Sequence, residues 1–185
     1  MVAKNSAFII TARNSKFLEE VKKIMQKNND IYVHIIEGDM INLNDAFFDK
    51  FEKAMNEILS ITKSFDALLL VNNAGTLGAI NKPAIDLGCR EIWQEYLQIN
   101  LISMIQLTNF VLKKLPFEMI PTQFVINITS LCSIKALPSL CQYCVGKAGR
   151  EAFFRSLAAE NPSLRILSYS PGPVRTDMYN ELSTG

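Results

Sequence analysis

The sequence has almost no excess charge of one sign and no long hydrophobic run. Nineteen lysine and arginine residues against 18 aspartate and glutamate residues leave a formal net charge of +1. A chain with so little net charge has no strong field to attract nucleic acid or an anionic membrane surface. The longest purely aliphatic run, residues 67–71, is far shorter than the roughly 20 residues that span a bilayer. We therefore expect neither a nucleic-acid partner nor a membrane partner.

Histidine and cysteine are also scarce. The single histidine, His34, lies far upstream of the cysteines at positions 132, 141 and 144, and the fourth cysteine is at position 89. Zinc sites need about four ligands at short spacings, so we expect no metal. The first residues, MVAKNSAFII, lack the long apolar segment and the small-residue cleavage site of a signal peptide. We expect a cytoplasmic protein, in which the cysteines stay reduced.

A CxxC pair, Cys141 and Cys144, overlaps a tyrosine placed four residues before a lysine, Tyr143 and Lys147. Redox CxxC pairs usually begin a helix directly after a strand, whereas here the loop Leu137–Pro138–Ser139 precedes the pair. We interpret the cysteines as packing residues and keep a redox role as the less favoured alternative.

Short apolar runs alternate with amphipathic stretches along the whole chain. The runs are typical of strands buried in a parallel sheet, and the stretches have helical spacing. This alternation predicts one α/β domain, a Rossmann-like doubly wound parallel sheet with helices on both faces. The predicted strands cover residues 8–12, 31–36, 67–72, 124–128 and 165–170, and the predicted helices 15–27, 44–61, 91–113 and 142–159. In the last helix we expect Val145, Ala152, Phe153 and Leu157 to form the buried side.

Polar and glycine-containing turns follow each predicted strand. Ligands of such sheets bind at the carboxyl ends of the strands, so these turns are the candidate site. In chain order they are Arg13–Asn14, Gly38–Asp39–Met40, Asn72–Asn73–Ala74–Gly75, Thr129–Ser130 and Pro171–Gly172–Pro173.

Tyr143 and Lys147 share one face of the predicted helix because they are four residues apart. A phenol has a pKa of about 10, and a nearby ammonium stabilises the phenolate and so makes proton donation easier. Ser130 follows the fourth strand and could hydrogen-bond the same substrate oxygen. The spacing of Tyr143 and Lys147 alone arises by chance in many helices, so the turns after the strands are needed to support this interpretation.

Taken together, these motifs resemble the short-chain dehydrogenase/reductase family over essentially the whole chain. Asn73–Ala74–Gly75 is similar to the family's NAG turn, and Ser130, Tyr143 and Lys147 to its catalytic trio. The resemblance implies that Tyr143 donates a proton while Ser130 polarises the carbonyl. It further implies that Lys147 binds the cofactor ribose and that Asn100 positions a water in the proton relay. The implied cofactor contacts also include Pro171, Gly172, Val174 and Thr176.

Narrower stretches are similar to the branch of this family that reduces side-chain carbonyls of pterins such as sepiapterin, in tetrahydrobiopterin synthesis. They are VNNAGTLG, SLC followed by YCVGKAGR, and YSPGPVRTDM. The implied pterin contacts are Ser130, Leu131, Tyr143 and Gly172. Two alternatives stay open: a reductase of another ketone or aldehyde, and a truncated product without catalytic activity.

Arg13 favours NADP(H) as the cofactor. An acidic residue after the corresponding strand binds the ribose 2′-hydroxyl of NAD, whereas an arginine accommodates a 2′-phosphate. The stretch TARNS contains Arg13 and Asn14 and no carboxylate. The alternative is that Arg13 is a solvated surface residue. Asp39 and Met40 are expected to flank the adenine.

The chain departs from the family pattern at both ends. The strand, glycine-rich loop and helix that open the family's fold have no counterpart, nor has the C-terminal tail that supplies a carboxylate to the pterin. From this we expect an N-terminally incomplete, partial dinucleotide-binding domain over residues 1–185. We also expect a homodimer through helices 91–113 and 142–159 when the protein is complete.

Overall fold

A computed structural model describes residues 6–27, 31–62 and 64–184. The chain separates into two compact units, residues 1–65 and residues 66–185. Both units consist of parallel strands flanked by helices, as expected for an α/β protein. That residues 1–185 act as a single dinucleotide-binding domain stays a prediction.

The first unit contains a two-stranded parallel sheet and two helices. Its elements are β1 (Ser6–Ala12), α1 (Ser15–Met25), β2 (Ile31–Glu37) and α2 (Asp45–Ile61). The strands pair from Ser6 with Ile31 to Ala12 with Glu37. An asparagine precedes each helix and caps it, because the Asn14 and Asn44 side chains accept hydrogen bonds from backbone N–H groups of the first turn. The buried core is apolar and includes Leu18, Val33, Ile36, Phe51 and Ala54.

The second unit contains a three-stranded parallel sheet in the order β3-β4-β5. The strands are β3 (Ala67–Asn72), β4 (Thr122–Ile128) and β5 (Arg165–Tyr169), and 3₁₀ turns cover Ala84–Asp86 and Leu131–Ser133. The helices are α3 (Arg90–Leu97), α4 (Ser103–Lys114), α5 (Cys141–Glu160) and α6 (Asp177–Thr184). A π-helical segment, Gln98–Ile102, joins α3 to α4.

The core of this unit lies on one face of its sheet. Met104 of α4 and Phe154 of α5 form a buried cluster with Val125 of β4, and Leu70 and Ile166 of the neighbouring strands pack against it. Side chains alternate between the two faces of a strand. The opposite face therefore carries Leu69, Val71, Leu167 and Tyr169, which are exposed.

The parallel register gathers the carboxyl ends of β3, β4 and β5 at one edge of the sheet. Val71 pairs with Ile126, which pairs with Leu167, and Ile128 pairs with Tyr169. The turns that begin at Asn73, Thr129 and Ser170 therefore leave the sheet at the same edge. The candidate ligand-binding turns after β3 and β5, which contain Asn73–Ala74–Gly75 and Pro171–Gly172–Pro173, therefore lie on either side of the turn that carries Ser130.

The five predicted strands and four predicted helices are confirmed, with three differences. The long helix predicted over 91–113 is interrupted by the π-helical segment, and α6 was not predicted. Only half of the apolar side predicted for α5 is buried: Phe153 and Leu157 pack against the core cluster, whereas Val145 and Ala152 are exposed. The fully buried positions of α5 are Gln142, Gly146, Lys147, Arg150 and Phe154. Lys147 and Arg150 face the sheet because they have hydrogen-bond partners at the ends of β3 and β4. Over the described ranges no helix is long and apolar enough to cross a membrane.

Candidate active site

Tyr143 and Lys147 lie on the side of α5 that faces the end of β4. Lys147 is only 7% exposed, and its Nζ donates a hydrogen bond of 2.8 Å to the carbonyl oxygen of Ile128, the last residue of β4. The same Nζ lies 5.4 Å from the centre of the Tyr143 ring. The helical spacing thus brings the ammonium and the phenol ring into contact, as the sequence predicts.

Ser130 is positioned by the turn that follows β4. Its backbone is extended and its Oγ accepts a hydrogen bond of 3.2 Å from the Cys132 N–H, which caps the short 3₁₀ turn. The Ser130 hydroxyl is also close enough to the Tyr143 phenol to lower the pKa of that phenol. Two hydroxyl groups, one from the end of a strand and one from α5, therefore lie together beside the Lys147 ammonium.

Asn100 lies in the π-helical segment and is 2% exposed. Its Oδ1 accepts a hydrogen bond of 2.8 Å from the Thr76 N–H, and its Nδ2 donates to the Tyr96 carbonyl at 3.0 Å. π-Helical segments within α-helices are frequent at functional sites. Through these two hydrogen bonds, the Asn100 side chain connects the turn after β3 to the junction between α3 and α4.

Position 75 requires glycine because the side chain of Asn100 lies very close to its backbone. A Cβ atom at position 75 would lie 2.7 Å from Asn100 Oδ1, so any larger residue would displace the oxygen that binds the Thr76 N–H. The Asn73–Ala74–Gly75 turn is therefore shaped by Asn100, which is 25 residues further along the chain than Gly75.

Arg150 is a buried residue of this site that sequence reasoning missed. It is 1% exposed. Its Nε donates to Asn127 Oδ1 at 2.9 Å, and its Nη1 donates to the Ala74 carbonyl at 3.0 Å. Nη2 donates a short hydrogen bond of 2.5 Å to the Asn72 carbonyl, and Nη1 donates a long one of 3.5 Å to the Asn100 carbonyl. The sequence did contain one indication that Arg150 belongs to the site. It lies three residues after Lys147 and seven after Tyr143, and this spacing places all three on one face of α5.

Gln142 is a second missed residue. Its side chain is fully buried. Its Oε1 accepts from the Ala79 N–H at 2.7 Å, and its Nε2 donates to the Ile92 carbonyl at 3.1 Å. Gln142 therefore anchors the loop between β3 and α3 beside Tyr143.

Burial controls the protonation of the site. It lowers the pKa of Lys147 from 10.5 to about 8, and the neighbouring Arg150 charge acts in the same direction. Burial also raises the pKa of Tyr143, against the opposing effect of Ser130. The expectation that the ammonium lowers the phenol pKa is thus not met, because loss of solvent around the phenolate is the larger effect. Tyr143 is protonated at neutral pH, as a proton donor must be.

The predicted residues after β5 are exposed at the same edge of the sheet. Gly172 has a φ of 74°, a left-handed conformation that favours glycine. Thr176 Oγ1 accepts a hydrogen bond of 3.3 Å from the Tyr179 N–H and so caps α6. Pro171 and Val174 are also exposed, as is Leu131 beside Ser130.

The predicted residues in the first unit follow the two strands of its sheet. Arg13 is exposed, and Asn14 Oδ1 is occupied by the N–H groups of Lys16 and Phe17 at 3.0 and 3.2 Å. Asp39 Oδ1 accepts from the Ile41 N–H at 3.1 Å, and Met40 is partly buried. Because Ala12 pairs with Glu37, the turns of Arg13 and Asp39 leave the sheet at one edge.

All four cysteines are free thiols. Cys141 and Cys144 are both partly buried on the first turn of α5, and Cys132 is buried beside Ser130. In the described part of the chain, no three histidine, cysteine, aspartate or glutamate side chains are grouped as a metal site requires.

Comparison with known proteins identifies the family of the chain. The sequence profile of the family described as short chain dehydrogenase matches residues 1–185. The chain belongs to the short-chain dehydrogenase/reductase family. The resemblance carried by its motifs is therefore confirmed.

Two relatives within the family are sepiapterin reductases. That of Mus musculus is 32% identical over 179 residues, which cover 96% of this chain and 67% of the relative. That of Bos taurus is 43% identical over 111 residues, 60% of this chain and 42% of the relative. The matched region thus spans 42 to 67% of the length of these two relatives.

A solved short-chain reductase has the same fold. The structure of an actinorhodin polyketide ketoreductase variant with NADPH is 21% identical, with a TM-score of 0.75 over 95% of this chain and 64% of that chain. At this identity the likeness concerns the fold alone, and it confirms the Rossmann-like α/β architecture.

The lowered pKa of Lys147 predicts a pH-dependent contribution to stability. The folded value is about 8 and the ordinary value 10.5. Between these values the unfolded chain binds more protons than the folded chain, so the free energy of unfolding rises with pH in this window. Relative to Lys147→Met, the parent should gain up to about 3 kcal/mol between pH 8 and 10.5.

Urea denaturation of both proteins at several pH values from about 7 to about 10 measures this gain. The exposed Lys135 offers a matched control, since Lys135→Met should leave the pH dependence of the parent unchanged. Equal pH dependence for the parent and Lys147→Met would show that the buried lysine keeps an ordinary pKa.

Proposed function

We propose that this chain carries the catalytic site of an NADPH-dependent reductase that acts on side-chain carbonyls of pterins. The observation that carries the proposal is the grouping of Ser130, Tyr143, Lys147 and Asn100 around the carboxyl ends of β3 and β4. The similarity to two sepiapterin reductases supports the choice of substrate class.

The donors of the second unit fit a nicotinamide cofactor. Lys147 Nζ has three hydrogens and uses one of them for the Ile128 carbonyl, so it retains donors for ribose hydroxyls. The Asn73–Ala74–Gly75 turn and the Pro171–Gly172 turn, with Val174 and Thr176 beyond it, lie at the same edge of the sheet. Tyr143 and Lys147 would hold the ribose, and these turns would hold the rest of the nicotinamide half.

The proposed reaction adds two electrons and two hydrogens to a carbonyl. The bound cofactor supplies a hydride to the carbonyl carbon. The Ser130 hydroxyl donates a hydrogen bond to the carbonyl oxygen and orients it. The Tyr143 hydroxyl transfers its proton to that oxygen as negative charge develops there, and the product is an alcohol.

Lys147 and Asn100 support the proton transfer. The Lys147 ammonium, 5.4 Å from the centre of the Tyr143 ring, would stabilise the negative charge left on Tyr143 when its proton moves to the substrate. Burial keeps Tyr143 protonated until then. Asn100, fixed by Thr76 and Tyr96, would position the water through which Tyr143 is reprotonated. Ser130, Leu131, Tyr143 and Gly172 would contact the pterin.

NADP(H) rather than NAD(H) is favoured by Arg13. It follows β1, is exposed and is adjacent to Asn14 rather than to a carboxylate. A guanidinium at this point suits a 2′-phosphate. Asp39 and Met40 would flank the adenine, and Asn14 would use its amide nitrogen, since its Oδ1 caps α1.

A homodimer through α3, α4 and α5 is part of the proposal. Two apolar side chains on this helical surface, Ile102 and Val145, are exposed. Burial of such residues between identical helices is the usual basis of a symmetric dimer.

Replacement of Tyr143 tests the proposed function. Tyr143→Phe removes the hydroxyl that protonates the substrate oxygen, and general acid catalysis typically contributes about a hundred- to ten-thousand-fold. We expect sepiapterin reduction, followed by NADPH absorbance, to fall within or beyond that range. The affinity for NADPH, measured by fluorescence, should change little.

Tyr32→Phe is the matched control, because it removes a hydroxyl from β2 and should leave turnover unchanged. Turnover of Tyr143→Phe within about threefold of the parent would rule out the proton-donor role, since a positioned acid supplies much more. Activity on simple ketones but not on pterins would keep the mechanism and reject the pterin substrate.

Charge reversal at Arg13 tests the choice of cofactor. Arg13→Asp places a carboxylate where a 2′-phosphate would bind, so the dissociation constant for NADPH should rise by about tenfold or more while that for NADH changes little. Arg155→Asp makes the same change at an exposed position of α5 and should affect neither. Equal changes for both cofactors in Arg13→Asp would identify Arg13 as an ordinary surface residue.

A further inference from the structure

The Arg150 guanidinium has an unusual set of partners. It is almost completely buried, and in the part of the chain that the structure describes no acidic side chain forms an ion pair with it. Three of its four hydrogen bonds go to backbone carbonyl oxygens, those of Asn72, Ala74 and Asn100. The fourth goes to the Asn127 side chain on β4.

These acceptors belong to three separate segments. Asn72 and Ala74 are at the end of β3 and in the turn after it, Asn100 is in the π-helical segment, and Asn127 is next to the last residue of β4. Arg150 itself is on α5, three residues after Lys147. One rigid guanidinium thus joins the backbones that carry the Asn73–Gly75 turn and Asn100 to the helix that carries Tyr143 and Lys147.

A purely packing role accounts poorly for this arrangement. Burying a charge without an ion-pair partner is costly, and an apolar side chain of similar volume often serves stability better. A planar fork of N–H donors has a different advantage, since it fixes several acceptors in direction as well as distance. The hydrogen-bond network extends beyond Asn127. The Asn127 Nδ2 donates to Ser168 Oγ at 3.2 Å, and the Ser168 hydroxyl donates to the Glu151 carboxylate at 2.9 Å.

We propose that Arg150 is a positioning residue, which sets the Asn100 backbone and the Asn73–Gly75 turn relative to Tyr143 and Lys147. This proposal rests on the proposed reductase function of the same site. Arg150 touches neither substrate nor cofactor in this role, and acts through the carbonyl groups that it binds. A shift of about 1 Å in such a site can cost roughly a hundredfold in rate.

Two substitutions separate the geometry of the guanidinium from its charge. Arg150→Lys keeps the positive charge and loses the fork, and Arg150→Met loses both. The exposed Arg155 on the same helix offers matched controls, Arg155→Lys and Arg155→Met. Thermal melting first establishes the folded fraction of each protein. Steady-state kinetics and side-chain NMR of labelled lysine and asparagine are then measured on the folded variants.

In kinetics, folded Arg150→Lys should lose about tenfold or more in kcat, with KM for the carbonyl substrate within about threefold of the parent. A merely structural role would lower the melting temperature and leave kcat of the folded enzyme unchanged. Parent kcat in folded Arg150→Lys would therefore overturn the proposal. The Arg155 variants should match the parent in both parameters.

In NMR, the Asn100 side-chain amide signal should shift in both Arg150 variants, because the backbone that carries it moves. The Lys147 titration midpoint, about 8 in the parent, should rise in Arg150→Met and stay in Arg150→Lys. The groups that face Lys147 are Arg150 and Tyr143 on α5 and Cys132 on the 3₁₀ turn, and only the first changes. Unchanged Asn100 and Lys147 signals in Arg150→Met would overturn the proposal.

The NMR measurement also separates this proposal from the proposed function. If the parent reduces no carbonyl, the reductase function fails, and the Asn100 and Lys147 signals alone decide on Arg150. If Arg150→Met does not fold, the Asn100 side-chain amide signal of Arg150→Lys is used instead. A shifted signal would support the positioning role of Arg150, and an unchanged signal would contradict it.

Discussion

Backbone carbonyl groups at the ends of parallel strands need hydrogen-bond donors, and a buried guanidinium supplies them here. Asn72 is the last residue of β3 and Ala74 lies in the turn after it, where the chain leaves the sheet. Their carbonyl groups need donors like any other buried backbone group. Arg150 binds both, together with Asn100 and Asn127. This one side chain therefore joins the Asn100 backbone and the Asn73–Gly75 turn to the α5 face that carries Tyr143 and Lys147.

The same burial determines the electrostatics of the site. Two cations, Lys147 and Arg150, lie one turn apart on a buried helical face, and burial lowers the pKa of each, to about 8 and about 10 respectively. Burial raises the pKa of the Tyr143 phenol and keeps it protonated, against the opposing effect of Ser130. A donor that holds its proton at neutral pH, with a cation beside it, is suited to protonating an oxygen only when negative charge develops there.

Much of the fold and site follows from local rules that act on the sequence. Apolar runs predicted all five strands, and the four-residue spacing predicted that Tyr143 and Lys147 share a face, because both depend only on periodicity. The rule that ligands bind at carboxyl ends of parallel strands directed attention to Ser130 and to Asn73–Gly75.

The features that could not be predicted depend on contacts between distant residues. Asn100 bonds to Thr76 and lies in a π-helical segment, which no helical periodicity reveals. Arginine is normally exposed, so the burial of Arg150 follows only from acceptors on three other segments. Likewise, the pKa of Tyr143 is set by packing around the ring, and Asn14 and Thr176, chosen as cofactor contacts, also cap helices.

The central claim is that the α5 face with Tyr143 and Lys147 is a nicotinamide cofactor site. Fluorine NMR of the chain labelled with 3-fluorotyrosine, titrated with NADPH, tests it without requiring turnover. The Tyr143 signal, identified by its absence in Tyr143→Phe, should shift in a saturable manner, and Lys147→Met should weaken the response. A Tyr143 signal that does not respond to NADPH at any concentration would contradict the account.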